Sequence, residues 1–232
     1  GVERDFVDVV PDRQGGVYVC WVESSGSMFL TRLDPSGQVA AGWPASGKSL
    51  GAVNVAQGRP RVIEDGAQGL FIAWTTGPEL MAQRLGTDGL GVGGWPNVPV
   101  VVAPSGPVNL FRLWPDLAIG PDGGVFVSWA TWSADTTVVV SGMYVRRLTG
   151  AGANSPGWPT AGQYVGFLRP EYLIESGGSL QVPLLDIATD ARGGLFCISG
   201  SLRYYRVDVR LRRLLADGQP SPGWPAEGRA LP

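Results

Sequence analysis

The sequence predicts an all-β protein built from four similar four-stranded antiparallel sheets, and three observations support this. The chain has 35 glycines and 19 prolines among 232 residues, too many for a helical protein. Nine tryptophans and a hydrophobic content of 44% exclude low-complexity disorder. One sequence pattern also occurs four times along the chain in a fixed internal register, which indicates a repeat architecture.

Each repeat begins with a tight turn between two apolar segments. The turn contains an aspartate and ends in glycine; the aspartates are Asp12, Asp65, Asp122 and Asp190, and the last glycines are Gly16, Gly69, Gly124 and Gly194. A tryptophan follows the last glycine by five residues in the first three repeats, and Ser199 stands there in the fourth. Two apolar segments joined by such a turn predict a β-hairpin, in which each aspartate accepts hydrogen bonds from its own turn.

Each repeat then continues with two more segments at constant spacing. An Arg-Leu pair comes first, with its arginine at Arg32, Arg84, Arg147 and Arg213. A Gly-Trp-Pro triplet follows, and its tryptophan lies 11 residues after the arginine. We expect the Arg-Leu segment to form a third strand and the segment around Gly-Trp-Pro a fourth, with Pro44 and its equivalents at an edge position that needs no backbone donor.

A sheet of this kind cannot bury both of its faces alone, but four such sheets can do so by packing radially around an axis. The predicted fold is therefore an all-β propeller of four four-stranded antiparallel blades. The approximate blade boundaries within this single domain are 1–52, 53–103, 104–165 and 166–232. Two arrangements stay open: a ring closed by these four blades, or part of a larger ring completed by a second copy or by further sequence.

The repeat resembles the blade repeats of large secreted bacterial β-propeller proteins. The resemblance is carried by the Gly-Gly turn, the apolar strand ending in Trp, the Arg-Leu strand and the Gly-Trp-Pro triplet, and it covers essentially the whole chain. It implies a non-enzymatic module that is extracellular or located at the cell surface.

The composition excludes several classes of function. The chain has no histidine, which rules out a Ser-His-Asp or Cys-His nucleophile and a histidine-ligated zinc site. The formal net charge is −2 and Lys48 is the only lysine, so no basic stripe is available for nucleic acid. The longest apolar runs are far shorter than the roughly 20 residues of a membrane-spanning helix. We expect neither a metal nor another cofactor.

The two cysteines, Cys20 and Cys197, are too few for a disulfide framework. They occupy adjacent strand positions that point to opposite faces of their sheets, and in a closed four-bladed ring those two faces could meet. The favoured interpretation is that both are buried thiols that pack as small hydrophobic side chains.

The regular tryptophan and arginine series predicts a scaffold role. A hairpin turn centred near Gly26 places Arg32 opposite Trp21, and the next turn places the same arginine opposite Trp43. We therefore expect the guanidinium group to be held between two indole rings on one face of the sheet.

Residues that break the repeat are candidates for binding, because loops on a rigid scaffold carry recognition. The loops between the second and third strands are expected to be long in the third and fourth repeats, over residues 130–138 and 199–205. Together with the connections leading into these blades, they bring arginines and aromatic residues to one end of the ring, which suits binding to protein or glycan. Alternatively, these rings pack beneath their own loops. The candidates are Phe111, Arg112, Trp114, Trp132, Tyr172, Arg203, Tyr204 and Tyr205.

An enzyme without histidine would have to use carboxylates. Asp8 and Asp186 occupy equivalent positions on the predicted innermost strands, with Asp5 and Asp116 nearby and Ala118 at the equivalent position of the third blade. Glycosidases on propellers use such carboxylates as a general acid and a base or nucleophile. Solvated or arginine-paired aspartates are the favoured interpretation.

The sequence as a whole favours a non-enzymatic structural or interaction module, whose partner is another protein or a second copy of the chain. A lectin-like propeller that binds glycan is the first alternative. A carboxylate-dependent glycosidase is the second.

Overall fold

The computed structural model describes residues 4–54, 59–92, 94–105, 110–133, 142–166, 184–190, 192–203 and 206–231. Strands and turns account for these residues. Within this part of the chain no helix is long and apolar enough to cross a membrane.

Sixteen described strands form four antiparallel sheets, which we call blades 1 to 4. Blade 1 contains β1 (Arg4–Pro11), β2 (Val17–Glu23), β3 (Ser27–Leu33) and β4 (Lys48–Ala52). Blade 2 contains β5 (Arg61–Glu64), β6 (Leu70–Thr75), β7 (Leu80–Leu85) and β8 (Val100–Ala103). Blade 3 contains β9 (Leu110–Ile119), β10 (Val125–Ser133), β11 (Gly142–Leu148) and β12 (Gln163–Gly166). Blade 4 contains β13 (Leu184–Thr189), β14 (Leu195–Arg203), β15 (Arg206–Leu214) and β16 (Arg229–Ala230).

The strands of every blade pair in chain order, from the first strand to the fourth. Each blade is therefore an antiparallel meander, which short turns between consecutive strands make possible. This confirms the predicted all-β propeller of four four-stranded blades.

The prediction that the fourth strand contains the Gly-Trp-Pro triplet is wrong. Each fourth strand begins five residues after its tryptophan, as β4 does at Lys48 after Trp43. The triplet instead lies in the preceding turn, where the backbone N–H of Trp43 donates to Ala40 over 3.1 Å and Gly42 has a φ of 85°. Proline is tolerated there because a turn does not require its backbone to donate.

Three hydrophobic cores lie between consecutive blades. In the core between blades 1 and 2, the side chains of Tyr18 and Cys20 from β2 meet Leu70 and Ile72 from β6. Similar cores lie between blades 2 and 3 and between blades 3 and 4. Because side chains alternate along a strand, each blade presents one set of residues to the preceding blade and the other set to the next.

The cysteines belong to two different cores. Cys20 lies between blades 1 and 2 and Cys197 between blades 3 and 4, so the two do not face each other. Both are free and buried, and burial raises the pKa of each thiol to about 12. These are buried thiols that pack as small hydrophobic side chains.

The expected sandwich of Arg32 between two indole rings does not form. In the observed register Trp21 lies opposite Phe29, and Arg32 lies opposite Tyr18. The difference arises because the turn between β2 and β3 is centred one to two residues earlier than the sequence suggested. Trp21 stacks on Phe29 instead, with ring centroids 5.5 Å apart.

Each arginine of the Arg-Leu series instead forms an ion pair with the turn aspartate of its own blade and lies over an aromatic ring of the second strand. In blade 1, Arg32 donates to the Asp12 carboxylate over 2.7 Å and lies over the Tyr18 ring, against which Trp43 also packs. Asp12 accepts two further bonds from the backbone N–H groups of its turn, as predicted. The equivalent ion pairs are Arg84–Asp65, Arg147–Asp122 and Arg213–Asp190.

Candidate active site on the innermost strands

The innermost strand of each blade carries one polar residue in the same register. Each lies nine residues before the start of the second strand of its blade, and their partners on that strand are Cys20, Ala73, Ser128 and Ile198. We call these four the axial residues: Asp8, Arg61, Asp116 and Asp186.

Sequence reasoning placed Ala118, rather than Asp116, at the equivalent position of blade 3, and that placement is wrong. It counted back from the turn aspartate, but Asp122 stands only three residues before β10, whereas Asp12 stands five before β2. Counting back from the second strand gives Asp116 in blade 3 and Arg61 in blade 2.

Asp116 is the most buried of the axial residues. Arg61 Nε donates to Asp116 Oδ1 over 3.1 Å, and the carboxyl group of Asp186 lies close enough to interact with that of Asp116. Burial raises the pKa of Asp116, and the neighbouring Asp186 adds to this, while the charge of Arg61 opposes it. The raised pKa means that Asp116 takes up a proton at a higher pH than an ordinary aspartate does.

The other two carboxylates are more accessible. Asp8 is half-buried and accepts from the backbone N–H of Val62 in blade 2 over 3.3 Å and of Val9 over 3.0 Å. Asp186 is exposed and accepts from the N–H of Ile187 over 2.9 Å. A cavity of about 120 Å³ lies beside Asp8 and Arg61.

A β-bulge precedes Asp116 on β9. Trp114 and Pro115 together oppose the single residue Trp129, and Trp114 has a φ of 48°. A bulky residue in this left-handed conformation costs about 1–3 kcal/mol, and bulges recur beside active sites, where they re-aim a side chain. The bulge thus sets the direction of the strand immediately before Asp116.

The predicted aromatic and arginine patch is only partly within the described side chains. Tyr172, Tyr204 and Tyr205 lie outside the described residues. Phe111, Trp132 and Arg203 are described in the backbone alone, where Phe111 lies opposite Trp132 and Arg203 opposite Arg206.

The two patch residues with described side chains do not extend into solvent. Arg112 is buried and donates to the carbonyl oxygen of Pro104 over 3.0 Å, and burial lowers the pKa of its guanidinium. Trp114 is half-buried and packs against the core between blades 3 and 4. This agrees with the alternative that these rings pack within the scaffold.

Parts of the two predicted loops are strand. β10 extends to Ser133 and β14 to Arg203, so residues 130–133 and 199–203 belong to strands, whereas residues 134–138 and 204–205 lie outside the described residues. Strand propensity and continued pairing with β9 and β15 explain the extension.

The axial residues combine a buried carboxyl group with a raised pKa, two more accessible carboxyl groups and a guanidinium group. That set can donate a proton, accept one and stabilise negative charge. Among the described residues, no group of three or more His, Cys, Asp and Glu is arranged to hold a metal ion.

Comparison with known proteins was made at the level of sequence and of structure. No family model and no curated protein matches the chain. A Penicillium chrysogenum α-L-arabinanase complexed with arabinobiose is 12% identical, with a TM-score of 0.50 over 97% of this chain and 64% of that chain. An ulvan lyase is 10% identical, with a TM-score of 0.51 over 94% of this chain and 58% of that chain. At these identities the likeness shows the propeller fold.

A third solved structure, an endo-arabinase from Bacteroides thetaiotaomicron VPI-5482, is 13% identical with a TM-score of 0.48, over 100% of this chain and 82% of that chain. The arabinanase and the ulvan lyase are carbohydrate-cleaving enzymes by name. The expectation of a non-enzymatic structural or interaction module is therefore corrected.

Proposed function

We propose that the protein is a glycoside hydrolase that uses the axial carboxylates. The observation that carries the proposal is the group of axial residues, in which Asp116 is buried beside Arg61 and Asp186 and burial raises its pKa. Hydrolysis of a glycosidic bond requires a carboxylic acid with a raised pKa and a second, ionised carboxylate. The names of the structural neighbours make plant-type polysaccharides such as arabinan the first substrates to test.

Asp116 is assigned the role of general acid, which protonates the departing glycosidic oxygen. Asp186 is not assigned as its partner across the sugar, because the two carboxyl groups interact directly, whereas a retaining or inverting mechanism needs a separation of ~5 Å or more. Asp186 is a positioning residue that keeps Asp116 protonated by like-charge repulsion.

Asp8 is assigned the role of base or nucleophile. It lies two blades away from Asp116 on the innermost strands, at the edge of the small cavity, and is partly open to solvent. Arg61 lies between these blades and pairs with Asp116, so it is placed to stabilise the carboxylate that forms when the acid gives up its proton.

The test is release of reducing ends from arabinan and xylan by the wild-type chain and by Asp116→Asn, Asp8→Asn and Asp186→Asn. Asp116→Asn should lower kcat/KM on polysaccharide by roughly 10²–10⁴-fold. The loss should be much smaller on an aryl glycoside, whose leaving group needs no protonation. Asp8→Asn should abolish activity on both substrates.

The pH profile provides a second readout. Activity should fall as pH rises through the raised pKa of Asp116, because the proton donor is lost, and Asp186→Asn should move this alkaline limb to lower pH. Asp217→Asn, an exposed turn aspartate of blade 4, serves as the matched control and should retain full activity. Wild-type activity that is absent on all these substrates, or unchanged in Asp116→Asn and Asp8→Asn, would contradict the proposal.

We also place the protein outside the cell in this proposal. Polysaccharides of the kind named for the neighbouring structures are too large to enter a cell intact, so an enzyme that cleaves them has to meet them at or beyond the cell surface. Fractionation of the producing cells, followed by immunodetection of the chain, would test this location.

A further inference from the structure

The two outward faces of the blade series, on blade 1 and on blade 4, are exposed. On the innermost strands, Val62, Leu117 and Ile187 each point to the preceding blade and are 4%, 5% and 6% exposed. The equivalent residue of blade 1, Val9, is 56% exposed, and its neighbour Val7 on the same face is 62% exposed. Among the described residues, therefore, no blade covers this face as the other three are covered.

The second strands of blade 1 and blade 4 show the same difference in exposure, each on its outward face. Val17 and Val19 of β2 are half-buried, whereas the equivalent residues of the other three blades are fully buried. On blade 4 the opposite face is open. Phe196 and Ile198 of β14 are half-buried, whereas residues at these positions in blades 1 to 3 are 0–2% exposed.

A contact that recurs between blades is also open at these two ends. In blades 1 to 3 the buried tryptophan of Gly-Trp-Pro packs on a left-handed glycine in the next blade so closely that a Cβ atom would lie 2.8–3.1 Å from the indole. The three contacts are Trp43–Gly89, Trp95–Gly152 and Trp158–Gly218. At the ends of the series, Trp224 is half-buried, and nothing approaches within 4 Å of the Cβ position of Gly37.

Two of these tryptophans also donate a hydrogen bond to the next blade. Trp43 Nε1 donates to Thr87 O, and Trp158 Nε1 donates to Ala216 O, each over 2.9 Å. Both acceptors stand two residues before the glycine that the indole covers. The residue at the corresponding position in blade 1, two residues before Gly37, is Pro35, whose carbonyl oxygen could accept the same bond.

We propose that the open face of blade 4 binds the open face of blade 1 of a second copy, head to tail. The two faces are the two halves of an interface that the chain already forms three times between its own blades, so they are complementary by construction. A head-to-tail contact closes into a ring if the rotation fits. Two copies give eight blades, within the usual range of four to eight, whereas three copies would exceed it. The occupant is therefore one further copy, in a closed eight-bladed dimer.

The first test is the mass of the chain in solution, measured by light scattering over a hundredfold range of concentration. We expect about 49 kDa, twice the 24.5 kDa of one chain. Val9→Glu and Ile198→Glu each place an unpaired charge in the interface and should raise the dimer dissociation constant on the order of 100-fold. Val98→Glu, at a valine that is 65% exposed outside these faces, is the matched control and should leave the mass unchanged. A chain that remains at 24.5 kDa throughout the range overturns the proposal.

The second test is a cysteine pair that reads out the register of the contact. Within the chain, ideal Cβ atoms at Gly94 and Gly157 would lie 3.2 Å and 3.4 Å from the Cβ atoms of Ala151 and Asp217 in the next blade. These distances are close to the span of a disulfide. The equivalent pair at the two open ends is Gly223 and Ser36.

Oxidation of the double variant Ser36→Cys/Gly223→Cys should give a covalent dimer on a non-reducing gel. The control Gly94→Cys/Ala151→Cys should give a bond within one chain. The two native thiols are buried and should not react. If the Ser36→Cys/Gly223→Cys bond forms within one chain, the four blades close on themselves and the proposal is wrong. The same holds if no bond forms while the control pair oxidises fully.

Discussion

At the scale of single residues, the turn aspartates form the same ion pair in settings of very different exposure. Arg84 Nη2 lies 2.9 Å from Asp65 Oδ2, and Arg147 Nη2 lies 3.0 Å from Asp122 Oδ2. The side chain of Asp65 is 2% exposed, whereas that of Asp122 is 49% exposed. The geometry is nearly equal, so the difference in burial decides how much each pair contributes.

We therefore predict that Asp65→Ala lowers the free energy of unfolding by about 3 kcal/mol, because it removes the buried carboxylate that pairs with Arg84 and accepts from two backbone N–H groups of its turn. Asp122→Ala should cost at most about 1 kcal/mol, because water can replace its carboxylate. Urea unfolding of the two variants beside the wild type measures the difference. Equal losses would show that burial does not govern these pairs.

The structural role of the turn aspartates could be predicted from sequence, because an aspartate bonds within its own turn and needs no information from elsewhere. The axial site could be predicted only in part. Asp8 and Asp186 were found, but Asp116 was named only as a neighbour, because the turn of blade 3 carries its aspartate two residues later than the others. Arg61 was missed because the search was for carboxylates. The constant nine-residue spacing to the second strand was the signal available. The contact of Asp116 with Asp186 depends on how two blades approach, which no local pattern contains.

At the scale of strands and turns, the hairpins were predictable and the outer edge of each blade was not. The hairpin of the first two strands follows from a turn and two apolar runs. The Gly-Trp-Pro triplet resembles the start of a strand, but its tryptophan is buried against the next blade, and that contact fixes it as a turn. The extension of β10 and β14 was missed because strand pairing with β9 and β15 overrides the loop-like composition.

The contact between Gly89 and Trp43 predicts how a substitution in the turn after β7 changes the free energy of unfolding. Gly89 and Gly37 occupy the same turn position, with φ values of 69° and 80°. Alanine at either site has to adopt a left-handed conformation, at roughly 1–2 kcal/mol. Only at Gly89 does it also collide with an indole, which adds about 1–3 kcal/mol of overpacking.

Gly89→Ala should therefore lower the free energy of unfolding more than Gly37→Ala does. The comparison is made by chemical unfolding at low protein concentration, with both variants also carrying Val9→Glu so that the proposed dimer does not contribute. If the two losses match, the packing of the tryptophan on the glycine has no stabilising role.

At the scale of the whole molecule, we expect the free energy of unfolding to decrease in acid. Burial alone would raise the pKa of Asp12, but hydrogen bonds from Gln14, Arg32 and Gly16 outweigh it and lower the pKa. The bond from Arg213 lowers the pKa of Asp190.

Groups with a lowered pKa contribute fully above the unfolded value of about 3.9 and lose that contribution as pH falls through the folded value. We predict that the urea midpoint is nearly constant from pH 7 to 5 and drops steeply below about pH 4. A midpoint that stays constant down to pH 3 would contradict this role.

The number of blades and their order were predictable, because each blade is a local meander and the repeat marks it. How the series ends was not. Whether blade 4 meets blade 1 depends on the angle between neighbouring blades, which side chains at every interface set together. The sequence therefore left a closed ring and a larger ring equally open.

The packing of a tryptophan on a glycine of the next blade has a consequence for how such a repeat protein evolves. A single blade carries both the indole and the glycine, so a copy inserted in tandem brings its own contacts on both sides. Duplication or loss of one unit alters the length of the series without requiring any compensating substitution in the neighbours. The blade is thus the unit by which the length of the protein can change, and a change in the number of blades keeps the packing between neighbouring blades intact.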